Sequence, residues 1–139
     1  MLLLETDDSC AMCGHRGTGV LTIHHIDGDR DHSEYDNMIV LCHNCHVSHN
    51  KGCGPTREAI EERKKRLIAK TLTQYGLNAL KIASRNGVGV IALPFLLFHL
   101  VELGFMTKEE TQMEYDNIEA TALFVITLRG KDLVGKWFT

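Results

Sequence analysis

Surplus basic charge is the first thing this sequence lacks. It has 15 Lys and Arg against 18 Asp and Glu, a net charge of −3, so it carries no global signature of a nucleic-acid binder. Cysteine is absent after residue 53, and only one of the eight histidines, His99, lies beyond that point. Metal-ligating side chains are therefore confined to the N-terminal part. Nor is there an uninterrupted apolar run of about 20 residues, the length a membrane-spanning helix needs. The longest candidate, 88–105, contains Pro94, His99 and Glu102, which predicts a buried helix and no membrane partner. The opening "MLLLETDD" has neither a basic n-region nor a full h-region, which predicts a cytoplasmic protein. Without secretion, Cys-x-x-Cys pairs favour metal over disulfides. Internal repeats and low-complexity segments are also missing.

What is present is unevenly spread. Residues 1–53 carry three basic and eight acidic side chains, and residues 54–139 carry twelve and ten. Within the latter, 57–85 holds eight basic against three acidic, a local surplus suited to phosphates. The fold class expected is α+β. "VLTIHHI" (20–26) and "NMIVL" (37–41) read as strands around the polar loop 27–36, and "CHNCHVSHN" (42–50) reads as a knuckle entering a helix. These form a ββα core, with a domain expected over 1–55. A second domain, 56–139, is expected to be mainly helical and winged-helix-like. Its first helix, 56–76, has Thr56 as cap, Ile60, Leu67, Ile68 and Leu72 as apolar stripe and Gly76 as stop. Further helices are expected at 78–87 and from Pro94 to Gly104. Residues 107–117 suit a helix or a strand, 120–127 a strand, and 130–139 a helical tail.

Cys10 and Cys13 form one C-x-x-C, and Cys42 and Cys45 another. Each spacing lets a tight turn present two sulfurs, and four thiolates close a structural Zn²⁺ site. The clamp encloses 28 residues rich in histidine. Cys53 is left over as a free thiol.

The pattern C-x-x-C, "HHIDGD", "DNMIVLC" and C-x-x-C-H over residues 10–51 resembles the HNH endonucleases, with a zinc-ribbon clamp around a ββα-metal core. The resemblance implies metal-dependent cleavage of DNA phosphodiesters in a bacterial or phage-type host cell. By it, His25 is the general base that takes a proton from water, and Asn37 holds the loop that fixes His25. His24 and His46 ligate a catalytic divalent cation. His49, one helical turn beyond, stays open between a third ligand, a phosphate contact and a solvated helix histidine. An all-imidazole pair favours Mn²⁺, Co²⁺, Ni²⁺ or Zn²⁺ over Mg²⁺, which prefers oxygen, and Mn²⁺ or Ni²⁺ is expected to activate more strongly than Mg²⁺. His15 and His43, beside the knuckles, read as exposed or as supports behind the ligands, and His32 as a loop residue.

Phosphate contacts are expected from Arg57, Arg63, Lys64, Lys65 and Arg66, although Glu58, Glu61 and Glu62 interleave with them. The helix "PFLLFHLVEL" lacks Lys and Arg and is a poor reader of bases, so a buried or homodimer-forming helix suits it better. A single site cuts one strand, so a double-strand break needs a dimer or two events. The rival to a nuclease is a non-catalytic zinc-ribbon regulator that binds DNA or protein, which would need neither His25 nor Asn37.

Overall fold

The computed structural model describes residues 1–109 and 121–139, the Thr18 side chain excepted. Its chain divides into two compact units, Met1–Thr71 and Leu72–Thr139.

In the first unit, helix α1 (Leu2–Glu5) precedes an antiparallel pair, β1 (Leu21–His25) and β2 (Met38–Cys42). The register runs from Leu21 opposite Cys42 to His25 opposite Met38. β-Branched Thr22, Ile23, Ile39 and Val40 suit this pleated pair. Ile39, Val40, Leu41 and Cys42 are all buried, so β2 is covered on both faces. Helix α2 (His43–Asn50) follows at once, because Cys42 is its N-cap and its Sγ accepts the Cys45 backbone N–H at 3.4 Å. The ββα core expected from the sequence is therefore in place.

Helix α3 (Arg57–Asn86) starts where expected, with Thr56 Oγ1 accepting the Ala59 N–H at 3.2 Å. Ile60, Lys64 and Ile68, four residues apart, are fully buried. This face belongs to the first compact unit, which runs to Thr71. The helix breaks at Thr73 (φ 64°, ψ 167°), not at Gly76. The Leu72 carbonyl next to the break accepts a hydrogen bond from His99 Nε2 at 2.6 Å. Gly76 instead lies where an added Cβ would meet the His99 ring.

The second unit carries β3 (Gly89–Ala92), α4 (Pro94–Glu102), β4 (Met106–Glu109), β5 (Ala122–Ile126) and α5 (Leu128–Trp137). The three strands form an antiparallel sheet in the order β3-β5-β4. β3 lies within the run read as one helix. Residues 107–109 are strand, and the rest of the ambiguous 107–117 segment lies outside the described residues. Gly89 allows the close pairing, since a Cβ there would strike the Phe124 carbonyl. Leu80, Leu97, Leu100, Phe105, Phe124 and Leu133 are the core. No helix among the described residues is long and apolar enough to cross a membrane.

Lys64 corrects one expectation. It is fully buried, with Nζ 2.7 Å from Glu5 Oε1 and 4.0 Å from the centre of the Tyr35 ring, so it offers nothing to a phosphate. The other oxygen of Glu5 accepts the Tyr35 hydroxyl at 2.5 Å. Burial pushes the ammonium pKa down, with Glu5 acting against it. Removing one buried partner strands the other charge. We expect Lys64→Ala to lose about 3–5 kcal/mol of stability and Glu5→Gln/Lys64→Met to recover most of it. Denaturant unfolding of the three proteins checks this, and a double variant no better than the single would contradict it.

Candidate metal clamp and histidine site

Cys10, Cys13, Cys42 and Cys45 offer sulfurs that all lie within 4.8 Å of one another. Cys13 and Cys42 Sγ are 3.7 Å apart, and a tetrahedral zinc with bonds of about 2.3 Å sets its sulfurs about 3.8 Å apart. The residues thus fit a structural metal such as zinc. The first knuckle is fastened to β2 by Ala11 N–H donating to the Val40 carbonyl at 2.9 Å. It turns through Gly14 at φ 76°, a backbone state that favours glycine. Burial resists ionisation of Cys10, yet backbone N–H groups of Cys13, Cys42 and Met12 outweigh it and bring the thiol down to about 7. Burial and the neighbouring sulfurs push the Cys45 thiol up instead, so that an ion would have to displace its proton on binding. Cys53 is exposed and apart, its Sγ directed to the Ser48 carbonyl at 3.7 Å.

Both paired histidines close β1, and both line one cavity of about 300 Å³ with Ile23, Gly28, Arg30, His46 and Asn50. His24 Nδ1 lies 3.3 Å from His46 Nε2. Two imidazole nitrogens bound at about 2.0–2.1 Å to one tetrahedral ion would lie about 3.3–3.4 Å apart. The tautomer of His46 follows from its neighbours. Thr22 Oγ1 donates its proton to the Leu41 carbonyl at 2.9 Å, so His46 Nδ1 must donate to Thr22 at 2.8 Å. His46 Nε2 is left as a lone pair facing His24, the arrangement by which outer partners orient a metal ligand. His24 is buried, and its Nε2 is the one buried side-chain nitrogen or oxygen among the described residues without a hydrogen-bond partner. Burial, reinforced by His46, His49 and His25, lowers the His24 pKa from 6.5 to about 4. Burial likewise lowers that of His46. Both rings are therefore shifted toward the neutral form that a ligand must take. The donor set and its neutrality fit a divalent cation.

His49 is close as well, its ring 4.9 Å from that of His24. Its Nδ1 donates to the Pro55 carbonyl at 2.6 Å, which leaves Nε2 unprotonated in the neutral ring. His25 points to the loop, with Nε2 3.1 Å from Ser33 Oγ. The two histidines differ in face, as adjacent strand residues should, yet the chain turns after His25 through Gly28 N–H to the His25 carbonyl at 3.0 Å.

Asn37 is fully buried and organises the loop. Its Oδ1 accepts Asp27 N–H at 3.2 Å, and its Nδ2 donates to Asp27 Oδ1 at 2.9 Å and to the His32 carbonyl at 2.8 Å. His32 is thus no bystander: its ring meets Asp27 Oδ2 at 2.6 Å. The bond to His32, helped by Asn37 and the Asp29 N–H, holds the Asp27 carboxyl well below the usual range.

The basic run is placed elsewhere. Arg57 and Arg66 pair with Glu61 and Glu62 at 2.9 and 3.3 Å, and Lys65 is exposed. Arg63 lines a second cavity of about 380 Å³ with Lys70, Cys10 and Cys13. Glu5 and Asp7 line that cavity too, and Lys70 Nζ lies 3.8 Å from Asp7 Oδ2. None of the five basic residues named from the sequence lines the histidine cavity. Arg30, Asn50 and Thr22 were missed. Thr22 was legible, since it sits two residues before His24 on the same strand face. Arg30 is the one Lys or Arg in the loop 27–36.

Residues 10–52 match the family model of the HNH endonucleases, a stretch that takes in both knuckles and His24, His25, Asn37, His46 and His49. Neither the curated proteins nor the solved structures hold a match to the chain.

Proposed function

We propose that this HNH-bearing chain is a metal-dependent DNA endonuclease that hydrolyses or nicks phosphodiesters. HNH nucleases act on DNA, and the observation that supports the reading here is a buried, neutral His24 set 3.3 Å from His46 Nε2, with His25 on the same cavity wall. His24 and His46 hold the cation, with His49 beside them as third ligand or phosphate contact. The cation, when bound, supplies a Lewis acid that polarises the phosphate and offsets charge as the P–O bond breaks. His25 accepts a proton from water as its oxygen adds to phosphorus. The bond to the 3′ oxygen then breaks, that oxygen takes a proton from solvent, and a 5′ phosphate and a 3′ hydroxyl result. Asn37 keeps the loop after His25 in shape through Asp27 and His32. Arg57, Lys65 and Arg66 remain candidates for contact with flanking phosphates.

We read the second unit as a winged-helix-like extension, since a β4–β5 pair follows α4. DNA contact through α4 has little support, as it has no Lys or Arg and exposes Phe95 and Phe98. One site cuts one strand, so a double-strand break takes two copies or two events.

The deciding experiment is supercoiled-plasmid nicking by purified protein with no metal, Mn²⁺, Ni²⁺, Co²⁺ or Mg²⁺. Metal-dependent nicking, strongest with Mn²⁺ or Ni²⁺, is expected from two imidazole ligands. Activation by Mg²⁺ alone would contradict the ligand assignment. No nicking with any ion would leave the non-catalytic zinc-ribbon regulator as the better reading.

A further inference from the structure

Arg30 is the single Lys or Arg on the wall of the cavity that holds His24, His25 and His46, and no role has yet fallen to it. It sits in an acidic loop, flanked by Asp29 and Asp31 and near Asp27. Even so, it makes no ion pair among the described residues. Two of the nearby acids are already engaged. Asp27 is held by His32 and Asn37, while Asp29 Oδ1 accepts the Asp31 N–H at 2.9 Å. These turns fix the loop without spending the guanidinium.

An arginine keeps its charge at any working pH and offers a rigid fork of donors matched to phosphate oxygens. The other lining side chains are the apolar Ile23, three histidines and the amide of Asn50, with Gly28 supplying backbone alone. An added Cβ at Gly28 would meet nothing within 4 Å, so the cavity stays open beside the loop. A divalent cation at His24 and His46 together with Arg30 gives the cavity positive charge with no fixed carboxylate on its wall. Such a cavity is complementary to an anion.

We propose that Arg30 binds the non-bridging oxygens of the phosphodiester that reacts at this site. The inference rests on the nuclease reading and adds to it a substrate-binding residue outside the histidine set. Arg30 fixes the phosphate against the cation and stabilises the charge that grows on its oxygens as water adds. Its contribution therefore belongs to the turnover step as well as to binding.

The test compares wild type, Arg30→Ala and Arg30→Lys in Mn²⁺-dependent plasmid nicking under saturating DNA, with Mn²⁺ binding measured by calorimetry on each protein alone. We expect Arg30→Ala to lower kcat about 10–100-fold, Arg30→Lys to recover part of it, and Mn²⁺ affinity to hold or rise. The pH dependence of kcat should keep its shape, because Arg30 moves no proton. DNA affinity of Arg30→Ala in Ca²⁺, read by fluorescence anisotropy, should lose about one unit of its salt slope. An unchanged kcat in Arg30→Ala, with wild type active, overturns this inference and leaves the nuclease reading intact. A loss of Mn²⁺ binding in Arg30→Ala also overturns it, since Arg30 would then act on the metal site. Failure of the wild type itself to nick overturns the nuclease reading first, and the Arg30 inference with it.

Discussion

Stripping the metal from the four cysteines should unfold the first unit. A unit of 71 residues has roughly 4–10 kcal/mol of stability at the usual 0.05–0.15 kcal/mol per residue. Structural zinc on four thiolates supplies about 10–16 kcal/mol in small domains at neutral pH, so its loss exceeds what the rest of the unit holds. The structural reason is local. Cys42 is at once the last residue of β2, the N-cap of α2 and a ligand, and Cys10 sits one residue before the Ala11 bond to β2. We expect a strong chelator, or Cys10→Ser, to release one zinc per chain and to abolish amide protection across residues 10–50 in hydrogen exchange. Release of zinc with protection unchanged would refute a structural clamp. Because α2 also carries His46 and His49, nicking should stop together with the loss of protection.

Replacing His25, the general base we propose, should be as severe for activity and nearly silent for structure. His25 is half-buried at the end of β1, and its one side-chain partner is Ser33. Nothing in the core depends on its ring. A positioned general base contributes about 10²–10⁴-fold, so His25→Ala should lower kcat by that range while Tm and Mn²⁺ affinity stay near wild type. His24→Ala should differ by losing Mn²⁺ affinity. The comparison needs plasmid nicking, calorimetry and thermal unfolding on the three proteins. Wild-type nicking by His25→Ala would remove His25 from the chemistry, and equal losses of metal in both variants would mean that the two roles were not distinct.

Much of the site was legible because its signals are local. Two C-x-x-C pairs imply two turns, and paired turns imply a metal whatever the fold around them. The strands and α2 follow from β-branched runs bounded by turn residues. The misreadings also have physical causes. Lys64 was grouped with its charged neighbours, although it lies four residues from both Ile60 and Ile68 and so on the buried stripe. That stripe was readable, whereas its partner Glu5, 59 residues away, was not. β3 escaped notice because a short apolar run does not tell strand from helix, and "GVIA" runs straight into Pro94. Thr73 carries the helix break with no glycine or proline to announce it. Arg30 was hidden among aspartates that any composition count would pair with it.

The amide of Asn37 has a consequence for how the protein ages. Asparagine is among the residues that heat and time degrade, by hydrolysis to aspartate. At Asn37 that change would swap the Nδ2 donor for an acceptor, turning its contacts with Asp27 Oδ1 and the His32 carbonyl into oxygen against oxygen. One of these would be carboxylate against carboxylate at about 3 Å, in a place closed to water. The loop after His25 would then open. Since Asn37 is fully buried, the packing that shapes the loop also keeps water from its amide and so protects the histidine site from this damage.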